Sequence, residues 1–240
     1  MSISIVNYDT LKCIQTRATL KIPSIPSSVD SIGIYAFCLC EKLENVSFEK
    51  ESKLTKIDNS TFSFCKELKL ISIPYSVNSI CYKAFSNCEE LKSISIPSSV
   101  DSIGTEAFYN CSKLENITFE KESKLTKIGH KAFSNCGGLR SISIPSSVNS
   151  IGTEAFFKCS KLENITFEKG LNLTKIDDYA FYSCVNLKDI PFEELSNLTT
   201  INSFSFQNCK NLTSIKLPSQ LKNISLYSFR ECSKLESITI

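Results

Sequence analysis

One short motif recurs along almost the whole sequence, and this repetition restricts the chain to folds built from stacked copies of a single unit. The motif is a small residue, a Phe, two variable residues, a Cys, two more residues and a Leu, and it occurs nine times. Successive Phe residues are separated by 25, 23, 23, 25, 23, 25, 25 and 23 residues. Segments 102–119 and 150–167 differ at only two positions. A unit of this size buries an apolar face only against its neighbours, so the repetition predicts a solenoid.

Each unit also contains a strand pattern. After the motif Leu, apolar and polar residues alternate, as in Leu91, Ile94 and Ile96, which is typical of a half-buried strand. A Pro ends this strand in the 23-residue copies, because proline cannot donate a hydrogen bond to a ladder. The segment around Phe and Cys is only about one helical turn long, so packing must hold it. We therefore predict an α/β repeat solenoid with parallel strands paired in register from copy to copy.

Composition narrows the range of partners. The chain is 42% hydrophobic and 22% charged, which allows a substantial core, and its net charge of +2 gives no general attraction to nucleic acid. No apolar run of about 18 residues is present, so the sequence predicts no transmembrane segment. The first residues, MSISIVNYDTLKCIQTR, lack the basic start and apolar run of a secretory signal.

Nine of the twelve cysteines occupy the same position of the repeat. We expect them to form a buried column of free thiols, because side chains stacked in register point the same way and suit disulfide geometry poorly. Cys38 and Cys40 are a poor metal clip, since no second pair and no His cluster accompanies them. The nine are Cys40, Cys65, Cys88, Cys111, Cys136, Cys159, Cys184, Cys209 and Cys232.

Catalytic chemistry has no pattern to support it. The single His, His130, lies at a variable position that other copies fill with Thr105, Thr153 or Asp178. A nucleophilic site would need departures from the repeat that meet in space, and no such group is evident. We predict no enzymatic activity, no cofactor and no metal.

The repeat resembles the BspA-like, or treponemal-type, class of leucine-rich repeats. The resemblance is carried by Ile103-Gly104, Ala107-Phe108, Cys111, Leu114, Ile117 and Phe119, and by the Ile-Pro and Ser-Val pairs at 73–77 and 144–148. It extends over residues 20–240, which would hold nine to ten repeats, after a degenerate cap or partial repeat at 1–19. The resemblance implies a curved leucine-rich-repeat solenoid with the parallel sheet on its concave face and short helical turns or loops on the convex side.

The outward strand positions are the candidate binding surface. They are small, neutral and rich in hydroxyl groups, which suits an extended protein or glycan ligand; the alternative is that they only keep the sheet soluble. They are Asn45, Ser47, Ser93, Ser95, Asn116, Thr118, Ser141, Ser143, Asn164 and Thr166. An acidic row follows them along one edge at Glu49, Glu120, Glu168 and Glu193. Tyr75 interrupts the Pro-Ser-Ser pattern and is a further candidate contact.

Two functions follow from these observations. The resemblance implies a surface-associated adhesion module that binds a host matrix or surface protein, or a glycan. The absence of a signal peptide and the column of free thiols favour an intracellular protein-interaction scaffold instead. The compartment is therefore the cell surface or extracellular space by resemblance, and the cytoplasm by the missing signal. The bare C-terminal strand, residues 235–240, would also allow end-to-end self-association.

Overall fold

The computed structural model describes residues 24–240 as a stack of coils in which each repeat forms one turn of a solenoid. All strand pairs are parallel and join neighbouring coils. The cap or partial repeat that the sequence predicts at 1–19 lies outside the described residues. Within residues 24–240, no helix is long and apolar enough to cross a membrane.

Two sets of strands run along the stack. We call the first set the front ladder; it contains the strands that the sequence predicts after each motif Leu. Its members are β1 (Asn45–Val46), β3 (Leu70–Ile71), β5 (Ser93–Ile96), β7 (Asn116–Phe119), β9 (Ser141–Ile144), β11 (Asn164–Phe167), β14 (Ser214–Lys216) and β16 (Ser237–Thr239). In the central strands, outward residues are exposed and inward residues are buried or nearly so, as the period of two predicts.

The second set, the side ladder, consists of two-residue strands that the sequence analysis did not predict. Its members are β2 (Lys56–Ile57), β4 (Ser79–Ile80), β6 (Ser102–Ile103), β8 (Lys127–Ile128), β10 (Ser150–Ile151), β12 (Lys175–Ile176), β13 (Thr200–Ile201) and β15 (Asn223–Ile224). In the first seven of these strands the second residue is a buried Ile. The side ladder therefore closes each coil around the core on a second face.

The front ladder is interrupted, although the sequence predicts continuous pairing. It divides into β1–β3, then β5 to β11, then β14–β16. Between β11 and β14 the chain carries Pro191 at the strand position and forms a 3₁₀ turn, Phe192–Glu194. Proline has no N–H to donate, which explains this break.

The predicted helical turns are absent. Opposite the front ladder, each coil instead forms tight turns in which the residues two before and two after the core Phe have φ between 52° and 63°. The Phe N–H bonds to the next coil rather than within a helix: that of Phe108 donates to the carbonyl of Ala132 at 2.8 Å. Alternate backbone donors bond between coils and the others close short turns, as the Cys136 N–H does to the Phe133 carbonyl at 3.2 Å, so no continuous α-helix forms. Within residues 24–240 the only helical element is the 3₁₀ turn at Phe192–Glu194.

Two columns of side chains fill the core. The rings of successive motif Phe residues stack with centroids 5.1 to 5.5 Å apart. The nine motif cysteines are all buried, as predicted. The thiol of each one from Cys65 onward donates to the Phe carbonyl of the preceding coil, as Cys159 does to Phe133 at 3.2 Å. Burial raises the pKa of Cys159 to about 12, so this thiol stays protonated at neutral pH.

We expect the Phe133→Ala variant to lose about 3–5 kcal/mol of stability, because it leaves a cavity between two stacked rings. Tyr75→Ala is the matched control, because Tyr75 is an aromatic residue outside the column of Phe rings and is 73% exposed. The control should change stability by less than about 0.5 kcal/mol. Urea unfolding followed by circular dichroism measures both. Equal losses would contradict the assignment of the core.

Thiol counting tests the cysteine column. A Cys13→Ser variant confines the count to eleven cysteines of the described residues. In the native protein, only the half-buried Cys38 and Cys81 should alkylate quickly. All eleven should react in denaturant without a reducing agent. Fewer than eleven would indicate disulfides, and fast native reaction of the other nine would contradict their burial.

Candidate functional site

The outward side of the front ladder gathers the predicted binding positions onto one surface. All ten of the hydroxyl and amide residues predicted for it are exposed. Eight of them lie on β5, β7, β9 and β11, where the register places Ser93 beside Asn116 and Ser143 beside Thr166. Asn45 lies on β1, and Ser47 follows that strand. The eight residues on β5 to β11 therefore form a field of uncharged donors and acceptors on one sheet, and Asn45 and Ser47 belong to the separate β1–β3 pair.

The acidic row has a structural role at three of its four positions. The carboxylates of Glu49, Glu120 and Glu168 accept the backbone N–H of a Ser in the preceding coil, at 3.0, 3.3 and 3.0 Å respectively. Glu193 instead lies in the 3₁₀ turn. None of the four forms an ion pair with a Lys or Arg within residues 24–240.

A groove crosses the front ladder where β3 and β5 fail to pair. It encloses about 420 Å³ and is lined on one side by Leu70, Ser72, Ile73 and Tyr75. Residues of β5 and β7 line the other side, together with Glu120. A second depression of about 350 Å³ lies beyond Tyr75 and reaches Glu49 and Ser76. Tyr75 thus stands between two depressions, and both open on the same face.

The groove lies between two successive coils that both carry a Pro directly after the front-strand segment, at Pro74 and Pro97. In some coils a Glu takes the place of this Pro. When such a coil follows a Pro-containing one, the Glu N–H adds a hydrogen bond to the ladder, as Glu120 does to the Ile96 carbonyl at 3.1 Å. Pro97 occupies the position of Glu120, and it follows another Pro-containing coil, that of Pro74. Pro97 has no N–H for the carbonyl of Ile73. The ladder therefore loses this hydrogen bond at the junction where β3 and β5 are unpaired.

Sequence reasoning identified Tyr75 but missed Leu70 and the groove. The signal for Leu70 was present, because the equivalent positions hold Asn or Ser in the other front strands from β1 to β16. The signal for the groove was the pair of successive 23-residue spacings between Phe62 and Phe108. His130 is half-buried in the turns, away from this groove.

Metal binding finds no support among the described residues. Within residues 24–240, no three His, Cys, Asp or Glu side chains come together in a way that could hold a metal ion. Cys38 and Cys40 are also adjacent to a core column rather than to an open cavity. The chemistry available on the front ladder is hydrogen bonding, apolar contact at Leu70 and Tyr75, and negative charge.

Stacked coils with a parallel ladder and columns of Phe, Leu, Ile and Cys define a leucine-rich-repeat solenoid. The family described as BspA type leucine rich repeat region matches residues 12–137 and 126–240, with six copies of its repeat. The chain belongs to this family.

Two solved leucine-rich repeat structures share this fold, and a third is similar to the chain in sequence. A leucine-rich repeat protein of T. pallidum is 25% identical over 79% of this chain and 78% of its own, with a TM-score of 0.51. A leucine-rich repeat protein from Eubacterium ventriosum is 22% identical over 87% of this chain and 57% of its own, with a TM-score of 0.55. A leucine rich cell surface protein from Faecalibacterium prausnitzii is 27% identical over 90% of this chain and 78% of its own, with a TM-score of 0.43. No curated protein matches the chain.

Proposed function

We propose that this protein is a non-enzymatic protein-binding scaffold that uses the outward side of the front ladder. The observation that carries the proposal is the field of exposed Ser, Thr and Asn side chains held in register on β5 to β11. A paired backbone fixes these donors and acceptors before a partner arrives, so little conformational entropy is lost on binding. The curvature that the family resemblance implies would make this face concave and would wrap it around a partner.

Surface adhesion is the first form of this function. Membership of the BspA-type family supports it, because the resemblance implies host-protein binding at a cell surface.

The intracellular scaffold is the second form, and the column of buried free thiols favours it, because disulfides are rare in reducing compartments. Surface labelling and protease shaving of intact source cells separate the two. Adhesion requires labelling before lysis, whereas protection until lysis supports the intracellular scaffold.

A double substitution tests the face itself. In Ser143→Arg with Thr166→Arg, two bulky cations occupy the centre of the front ladder, and both replaced side chains are exposed, so the fold should survive. Ser112→Arg with Ser160→Arg is the matched control, because these exposed serines lie in the turns. We expect the first variant to lose binding to whichever purified matrix proteins the wild type binds in biolayer interferometry, and the control to keep it. Equal binding by both variants would contradict the proposal.

A further inference from the structure

We infer that Leu70 and Tyr75 anchor a binding groove for an extended protein segment that carries an apolar side chain next to a Lys or Arg. This inference rests on the proposed function and names the place and chemistry of its main contact. It concerns the groove between β3 and β5 and the depression beyond Tyr75.

Leu70 and Tyr75 are exposed apolar side chains at positions where the fold does not require apolar residues. Leu70 is 58% exposed and Tyr75 is 73% exposed. The other front strands carry Asn or Ser at the position of Leu70, and two other coils carry Ser98 and Ser146 at the position of Tyr75. The solenoid therefore forms equally well with small polar residues here. Exposed apolar side chains clustered beside a groove are typical of interaction sites, and Tyr is enriched among residues that dominate binding energy.

The expectation of a Lys or Arg in the bound segment comes from charge complementarity with the groove. Glu120 is the only charged side chain that lines the larger groove, and it has no cationic partner within residues 24–240. Ile73 lines the same groove, and its carbonyl lacks the N–H that Pro97 cannot supply. A carboxylate and a carbonyl are both acceptors, so the complementary ligand group is a cation with several donors.

The shape of the site favours a chain rather than an enclosed small molecule. The two depressions share Ser72, Ile73 and Tyr75, and both are open to solvent rather than enclosed. The Ser76 hydroxyl beside the smaller one is buried and has no hydrogen-bond partner within residues 24–240. In the next coil, the equivalent Ser99 hydroxyl donates to the Val77 carbonyl at 2.6 Å. An extended segment that passes Tyr75 would meet the apolar surface of Leu70 and Tyr75 and then Glu120.

A random-peptide phage library is the probe, selected on the immobilised full-length chain. The counter-selection uses Leu70→Ser with Tyr75→Ser, which restores residues that other coils carry and so should leave the fold intact. Circular dichroism and the thiol count verify that it does. We expect the enriched peptides to place an apolar residue next to Lys or Arg. A synthetic peptide of the enriched sequence should bind the double variant roughly tenfold or more weakly.

Two further variants locate the interaction. Glu120→Gln keeps an acceptor for the Ser98 N–H but removes the charge, so it should weaken the peptide and reduce the salt dependence of binding. Ser141→Leu with Ser146→Tyr, added to the Leu70→Ser and Tyr75→Ser background, moves the apolar pair to a coil whose strand pairs fully with β11. It should not restore binding, because the strands are not separated there. Restored binding would overturn the role of the groove.

The possible results separate this inference from the proposed function. Enriched peptides without a basic residue, or peptides that bind the counter-selected variant equally well, would overturn the inference. In that case, loss of matrix-protein binding in Ser143→Arg with Thr166→Arg would still support the front ladder as a binding face. The proposed function fails separately, if that arginine variant binds as the wild type does.

Discussion

The backbone of the motif Phe joins each coil to both of its neighbours, and the rest of the solenoid depends on this connection. The Phe133 N–H donates to the Ala155 carbonyl of the next coil at 2.8 Å, and its ring stacks on Phe108 and Phe156. Its carbonyl accepts both the Cys136 N–H and the Cys159 thiol, each at 3.2 Å. Buried carbonyls need such partners. Cys suits this position because it combines a small apolar side chain with a weak donor, which explains why the chain uses it nine times.

The alternation of coils with and without Pro controls the front ladder. A coil without Pro that follows one with Pro pairs over four residues, as β7 does with β5 and β11 does with β9. A coil with Pro that follows one without it pairs less, so β7 and β9 share only the pair Asn116 and Ser141. Where Pro97 follows Pro74, β3 and β5 do not pair, and the groove lies at this junction. The groove therefore belongs to two neighbouring repeats and not to one repeat alone.

This difference explains what the sequence could and could not predict. Burial of Phe133, Cys159 and Ile142 follows from periodicity, because each position faces the same neighbours in every coil. The sequence left helical turns and loops as alternatives for this side of the coil, and it could not decide between them because left-handed backbone geometry occurs at Glu106, Lys131 and Tyr179, residue types that give no sequence signal for it. The side ladder was missed because two residues are too few to show a period. Leu70 was missed because periodicity reports what the repeats share, whereas binding surfaces depend on where the repeats differ.

The separation of core and surface also limits where specificity can arise in this solenoid. Along each central front strand, inward residues fill the core and outward residues contact solvent, so an outward substitution costs the fold little. The surface can therefore change from coil to coil while the Phe and Cys columns stay the same. Most outward positions of β5 to β11 are nevertheless monotonous Ser, Thr and Asn, which form hydrogen bonds without strong selectivity. Discrimination between partners then requires departures from that pattern, and Leu70 and Tyr75 combine such a departure with a break in the ladder beneath them.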